Sequence, residues 1–347
     1  LPSAVLAALF AASAALIWLA GIRLSDATDA LDARLHLGSA LGGLILLAFA
    51  TNLPEIAITV AGASSGNLEL AVGNLIGGIA IQTAVLALLD ARTAGKPLTH
   101  MAGSLVVVLE AVMVVAVLVA AIMATQLPAG AALAGLSPGS VAILLLWLGG
   151  LLLINRARHG LRWELSAPGS SPGRSPHDRA RGTGEQPFAD RSTGAVAVIF
   201  ALAALVTLGA GVAIEETGSE LAGRIGLTGA VFGATVLAAS TALPEVSTGM
   251  ASVALGDHEL AFADIFGGNA FLPVLFVVAD LIAGSPALPT AHSTDLWVAG
   301  LGVVLTCVYI AGLIVRPERK LGPLGPDSWL VLCLYAVGIA GLFAVPR

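Results

Sequence analysis

Charge and aromatic rings are scarce in this chain. Only 11% of its 347 residues are charged and 5% are aromatic, where a soluble domain carries about 25% charged residues; the deficit excludes nearly all soluble enzyme classes. Cysteine is scarcer still. Cys307 and Cys333 both lie inside apolar runs, which excludes a disulfide scaffold and a cysteine metal site and leaves two packing thiols. There is no basic surplus, since the formal net charge is −6 and the six histidines are scattered, so nucleic acid is not a partner. A Gly-Lys-Ser/Thr phosphate loop is absent, and nucleotide-driven pumping is not supported. The string Gly169-Ser170-Ser171-Pro172-Gly173 mimics a nucleophile elbow without a strand before it. His258-Glu259 starts a zinc-protease pattern that Phe262 ends. No constellation for an intramembrane hydrolase is visible.

In place of these stand apolar residues, 57% of the chain before its 41 glycines are counted, with a mean hydropathy of +0.94. The composition predicts an all-α polytopic membrane protein with the lipid bilayer as its setting. A bilayer core about 30 Å thick takes roughly 20 apolar residues of helix. Ten such segments can be marked: 4–24, 37–62, 68–90, 101–125, 137–156, 193–214, 226–254, 258–281, 293–315 and 326–346. The apolar opening has no basic n-region and is read as a retained helix rather than a signal peptide. Between the fifth and sixth segments, 157–192 is rich in Gly, Pro, Ser and Arg and reads as a disordered linker. Ten spans place 14 of the 16 Lys and Arg residues on the linker's side. By the positive-inside rule the linker is cytoplasmic and both termini face outward from the plasma membrane.

A shift of 190 residues aligns 37–90 with 227–280 without a gap, at 18 identities in 54 positions. Bias toward Ala, Leu and Gly explains part of that number but not the matched Leu-Pro-Glu block. The copies fall on segments 2–3 and 7–8, an offset of five spans, and an odd offset inverts the second copy. Two inverted five-helix repeats follow, 1–156 and 193–347. Inverted repeats with interrupted helices at the midplane are the architecture of secondary transporters.

Each copy carries its motif inside an apolar segment, as Thr51-Asn52-Leu53-Pro54-Glu55 and Thr241-Ala242-Leu243-Pro244-Glu245. Proline removes a backbone donor and clashes with the carbonyl four residues back, so it frees carbonyl oxygens near Thr51 and Thr241. A carboxylate near the bilayer centre costs a few kcal/mol on insertion scales and needs a partner. Two such glutamates with loosened carbonyls offer the hard oxygen ligands that calcium and sodium prefer. The alternative is a pair of protonated packing carboxyls bonded to neighbouring backbone.

These blocks resemble the alpha repeats of the sodium/calcium exchanger (cation/calcium antiporter) superfamily. Each is followed by a glycine-rich helix start, Gly73-Asn74-Leu75-Ile76-Gly77-Gly78 and Ala263-Asp264-Ile265-Phe266-Gly267-Gly268-Asn269. The resemblance implies that Glu55 and Glu245 bind cations and that Thr51 and Thr241 supply ligand oxygens. Asn52, Asn74, Gln82, Asp264, Asn269 and Glu110 are further candidates for the ion site or its pathway. Where the family pattern has serines, this chain has Asn52, Ala242, Gly78 and Gly268, and its closing polar positions are Gln82 and Leu272. Asp264 either adds a third carboxylate to the site or caps a helix.

The remaining acids read as structural. Asp90 and Asp280 occupy equivalent helix ends, and Glu69 and Glu259 complement helix dipoles. Glu215, Glu216 and Glu220 lie in an acidic external loop. The expectation is a secondary antiporter that exchanges calcium against sodium, uses no cofactor, and has inorganic cations as its partners. Proton-coupled exchange is the alternative, and a non-transporting scaffold or sensor on the same fold is a further one. Oligomeric state is not legible in the sequence.

Overall fold

The computed structural model describes residues 1–35, 49–132, 135–158, 188–342 and 344–345. Residues 37–48 of the second expected segment and 159–187 of the expected linker, with its Gly169–Gly173 string, lie outside the described residues. The helices are α1 (Ser3–Leu35), α2 (Leu53–Ser65), α3 (Leu68–Asp90), α4 (Leu105–Ala124), α5 (Pro138–Arg158) and α6 (Thr193–Ile225). They continue as α7 (Gly229–Thr241), α8 (Leu243–Ala254), α9 (His258–Ala283), α10 (Ser293–Val315) and α11 (Pro326–Leu342). Among the described residues there is no strand; a single bridge pairs Leu321 with Leu324, and Leu136 is a further isolated bridge residue. This is the all-α solution that a bilayer demands, because a helix satisfies its backbone polar groups internally.

Among the described residues seven helices are long and apolar enough to cross a membrane, and α7 with α8, bent by 41° at their break, makes an eighth when the pair is taken as one span. α2 and α11 stand at the second and tenth expected segments but have only 13 and 17 residues. The described helices therefore account for seven or eight spans against the ten expected. The protein is a multi-pass integral membrane protein.

Two expected boundaries fail in the same way. The first and sixth segments, expected to end at 24 and 214, run on to Leu35 and Ile225, each giving a helix of 33 residues. Hydropathy stops at polar residues, but the backbone does not: both extensions lack proline and contain Ala, Leu and Arg, which favour helix. Gly226, at φ 73°, ends α6. Glu215, Glu216 and Glu220 thus lie on a helix rather than in an external loop. Glu215 is buried there and accepts from Asn67 Nδ2 at 3.3 Å. The fourth segment starts four residues late because Leu98–Met101 forms a separate turn and Ser104 Oγ caps α4 through Val106 N.

α3 and α9 form the centre. Of their apolar windows 83% and 67% are buried, against 28–44% for the other spans. α1 packs along α6 at the periphery, and each crosses a broken helix of the other half. A Cβ on Gly21 of α1 would come within 3.0 Å of Pro244, and one on Gly211 of α6 within 2.6 Å of Ala57 beside Pro54. These two glycines are 190 residues apart, the offset of the sequence copies.

α3 and α7 meet backbone to backbone. Cβ atoms on Gly73 and Gly77 would fall 2.6 and 2.3 Å from atoms of Ala230 and Ala234, and one on Gly233 would fall 2.6 Å from the Leu70 carbonyl. Small residues four apart allow such crossings in membranes, where packing replaces the hydrophobic drive. α7 takes a π-helical turn over Gly233–Leu237 at this seam.

The ends of α3 and α9 are fixed alike. Asp90 accepts from Leu98 N at 2.7 Å and Gly325 N at 2.6 Å. Asp280 accepts from Ala287 N at 2.7 Å and Ser137 N at 2.9 Å. Each carboxylate satisfies two orphan amides and ties its own loop to the start of α11 or α5, which is a structural role. Glu69 stands in the first turn of α3 as expected and also serves the start of α7, where its Oε1 accepts from Ala230 N at 3.2 Å.

Candidate functional site

The repeated motif breaks two helices at matched places. Asn52 (φ −88°, ψ 13°) and Ala242 (φ −77°, ψ 1°) leave helical geometry, and α2 and α8 restart with proline in their first turns. The restarted ladders begin at Ile56 N→Asn52 O, 3.0 Å, and Val246 N→Ala242 O, 3.2 Å. Pro54 and Pro244 have no N–H to offer the carbonyls of Ala50 and Ser240. Glu55 and Glu245 therefore stand in the first turns of new helices, where the positive end of the helix dipole favours an anion.

Both glutamates are wholly buried, and each has the other as a charged neighbour. Asp264 of α9 is the second carboxylate facing Glu245. Thr241 hydrogen-bonds the Glu55 carboxylate across the halves and lies 3.4 Å from Asn74 Oδ1. Gln82 directs Nε2 to Glu55 Oε1 at 3.5 Å. Asn52 Nδ2 reaches Thr51 Oγ1 at 3.4 Å and fills the space beside Gly268, where a Cβ would lie 3.1 Å from it. Each half thus completes the surroundings of the other.

Acceptors outnumber donors at this centre. Neither carboxylate oxygen of Glu245 has a hydrogen-bond partner on another residue, and Glu55 Oε2 and Gln82 Oε1 have none either. Buried anionic oxygens without donors cost several kcal/mol unless a cation or proton neutralises them. The arrangement suits a hard cation held by two carboxylates with hydroxyl, amide and carbonyl oxygens around it. Among the described residues no three His, Cys, Asp or Glu side chains are arranged to hold a metal, so the donor set is mixed rather than a carboxylate cluster.

Of the candidates named from sequence, Glu55, Glu245, Thr51, Thr241, Asn52, Asn74 and Gln82 gather at the two breaks. Asp264 joins them through Glu245 and does not cap its own helix. It lies inside α9, whose N-cap is Asp257 with Oδ1 accepting from Leu260 N at 3.0 Å. Asn269 turns instead to α3, donating to Thr83 Oγ1 at 3.1 Å and to the Ile79 carbonyl at 3.4 Å. Glu110 is buried on α4. Thr248 was missed: its hydroxyl donates to Asp264 Oδ2. The signal was present in the self-alignment, where Thr248 faces Ile58 one turn beyond the matched glutamates.

Comparison with known proteins follows the same division of the chain. Residues 5–155 and 195–344 match the family model for sodium/calcium exchanger protein. The inner membrane protein YrbG of Escherichia coli (strain K12) is 23% identical over 290 residues, covering 83% of each chain. The structure of the H+/Ca2+ exchanger CAX superposes with a TM-score of 0.69 at 14% identity, covering 99% of this chain and 82% of its own. The sodium-calcium exchanger NCX_Mj superposes with a TM-score of 0.62 at 15% identity, covering 98% of this chain and 99% of its own. At these identities the two structures speak for a shared fold.

Proposed function

The chain belongs to the sodium/calcium exchanger family, and from that premise we propose that it exchanges calcium, or a similar divalent cation, against sodium by alternating access. It is a secondary transporter rather than an enzyme; the ions are its substrates and no cofactor takes part. One observation carries the reading: two wholly buried glutamates, on helices broken by the same motif, present carboxylate oxygens without donors. Calcium binds between Glu55 and Glu245, with Thr51 and Thr241 beside it, and the counter-ion competes for the same carboxylates. Exchange is obligatory because an empty site leaves two anions facing a low-dielectric barrier, which blocks the conformational change.

The proposed organisation is two inverted five-helix repeats, 1–156 and 193–347, joined by a cytoplasmic linker, 157–192, with both termini outside. The helix bounds support it: α1 and α6, like the starts of α3 and α9, are related by the same 190 residues as the sequence copies. Proton coupling is the second reading. Asn52, Ala242, Gly78 and Gly268 offer no hydroxyl at the family's serine positions, and Gln82 points an amide nitrogen at Glu55.

Calcium uptake into proteoliposomes, with outward gradients of sodium, protons or neither, separates the readings. Sodium-driven uptake that Glu245→Gln abolishes is the expected result, and uptake driven by protons alone selects the second reading. Uptake that survives in both Glu55→Gln and Glu245→Gln rules out the shared carboxylate site.

A further inference from the structure

α2 and α8 restart after the same motif but continue differently beyond the glutamate: α2 has Thr59 at i+4, whose hydroxyl donates to the Glu55 carbonyl at 2.7 Å. Glu245, Thr248 and Ser252 stand at i, i+3 and i+7, one side of the helix. The matching positions of α2 hold Glu55, Ile58 and Gly62. Across from this face, α9 carries Asp264 where α3 carries Asn74. The Thr248 hydroxyl donates to Asp264 Oδ2 and lies 3.2 Å from the main-chain oxygen of Glu245. Ser252 Oγ donates to the Thr248 carbonyl at 3.0 Å, and the face ends at the turn between α8 and α9. Exposure follows the same path. Thr248, Ser252 and Asp264 retain 8%, 6% and 4% of their surface, whereas Ile58 and Asn74, like both glutamates, retain none.

We propose that Thr248 and Asp264 form a transit subsite for the transported cation between Glu245 and the α8–α9 turn, with Ser252 the next polar step, and that α2 and α3 hold no counterpart of this hydroxyl–carboxylate pair. The subsite rests on the exchanger reading and adds a sidedness to it. A threonine hydroxyl has one hydrogen and two lone pairs. With no ion present that hydrogen serves Asp264. A hard cation arriving at Asp264 replaces it, and the hydroxyl turns its hydrogen to the Glu245 carbonyl and its lone pairs to the ion. The unpartnered oxygens of Glu245 are the inner end of the step. On α2 the Thr59 hydroxyl is given to the Glu55 carbonyl and α3 carries Asn74 instead of a carboxylate, so a cation on the other side meets its glutamate without a charged staging point.

The test is calcium uptake by the full chain in right-side-out and inside-out membrane vesicles. Thr248→Val keeps the shape and removes the hydroxyl. It is expected to raise KM about tenfold when calcium is presented to one face, the effect of a lost hydrogen bond to a charged group. KM at the other face stays unchanged, and Thr248→Ser restores the native value. Equal changes at both faces, no change at either, or failure of serine to rescue would overturn the proposal. Should Thr248→Val not reach the membrane, Ser252→Ala decides: a smaller rise confined to one face supports the subsite, and a two-sided or absent effect overturns it. A native chain that moves no calcium under any gradient overturns the exchanger reading first, and this is seen before any variant is made.

Discussion

Around its glutamate, the half of the site built by α2 and α3 is neutral, while the half built by α8 and α9 is charged. Glu55 has Gln82 and Thr241 beside it, whereas Glu245 faces Asp264, which is held by Thr248. Leu53-Pro54-Glu55 and Leu243-Pro244-Glu245 fix where each helix breaks and where each carboxylate stands. Those residues are the ones that match. The positions one turn further on do not set the backbone, and they have diverged. A duplicated backbone device can thus be kept while the chemistry beside it becomes one-sided.

The largest effect expected is on the shared element. Glu55→Gln and Glu245→Gln should each lower calcium transport by about 100-fold or more, since the divalent cation loses one of the two carboxylates that neutralise it in a buried site; uptake at matched expression measures this. If only one substitution does so, the halves are less equivalent than their geometry. Next comes the seam. Gly77→Ala would place a methyl 2.3 Å from Ala234 and should cost about 2 kcal/mol of stability as overpacking. Gly78→Ala, whose methyl meets only Leu272 Cδ1 at 3.3 Å, should cost clearly less; thermal unfolding in detergent compares them.

Asp264→Asn makes the charged half imitate the neutral one and should reduce transport about tenfold, the value of one hydrogen bond to a charged group. Adding Asn74→Asp returns the charge to the wrong half, so the double variant should remain as slow as the single. Full recovery would show that charge number, not position, matters. The smallest effects belong to the helix ends. Asp90→Asn and Asp280→Asn should each lose about 1 kcal/mol, because an amide accepts from only one of the two backbone donors. Lys320, 3.7 Å from Asp90, gives the first end an ion pair that the second does not have among the described residues. Lys320→Met tests whether that pair adds anything to the melting temperature.

Helical class, membrane setting and the breaks at Asn52 and Ala242 were legible in sequence because each rests on one local rule: apolar length, or proline inside an apolar run. Ligand pairing was not legible to the same degree. Thr241 reaching Glu55, and Asn52 lying against Gly268, are contacts between residues nearly 200 positions or more apart, which no local pattern encodes. The helical ends of α1 and α6 were misplaced because hydropathy registers the lipid boundary, whereas helix propensity continues past it. Thr248 went unnoticed because identities drew the comparison, although the mismatch with Ile58 held the information.

The seam of Gly73, Gly77 and Gly233 joins one helix from each side of residues 159–187 by contact alone. Its grip does not depend on the peptide chain that connects the two sides. The protein should therefore survive being cut: residues 1–158 and 188–347, produced as two separate polypeptides in one cell, should find each other and co-purify, and a bulky residue at position 77 should keep them apart.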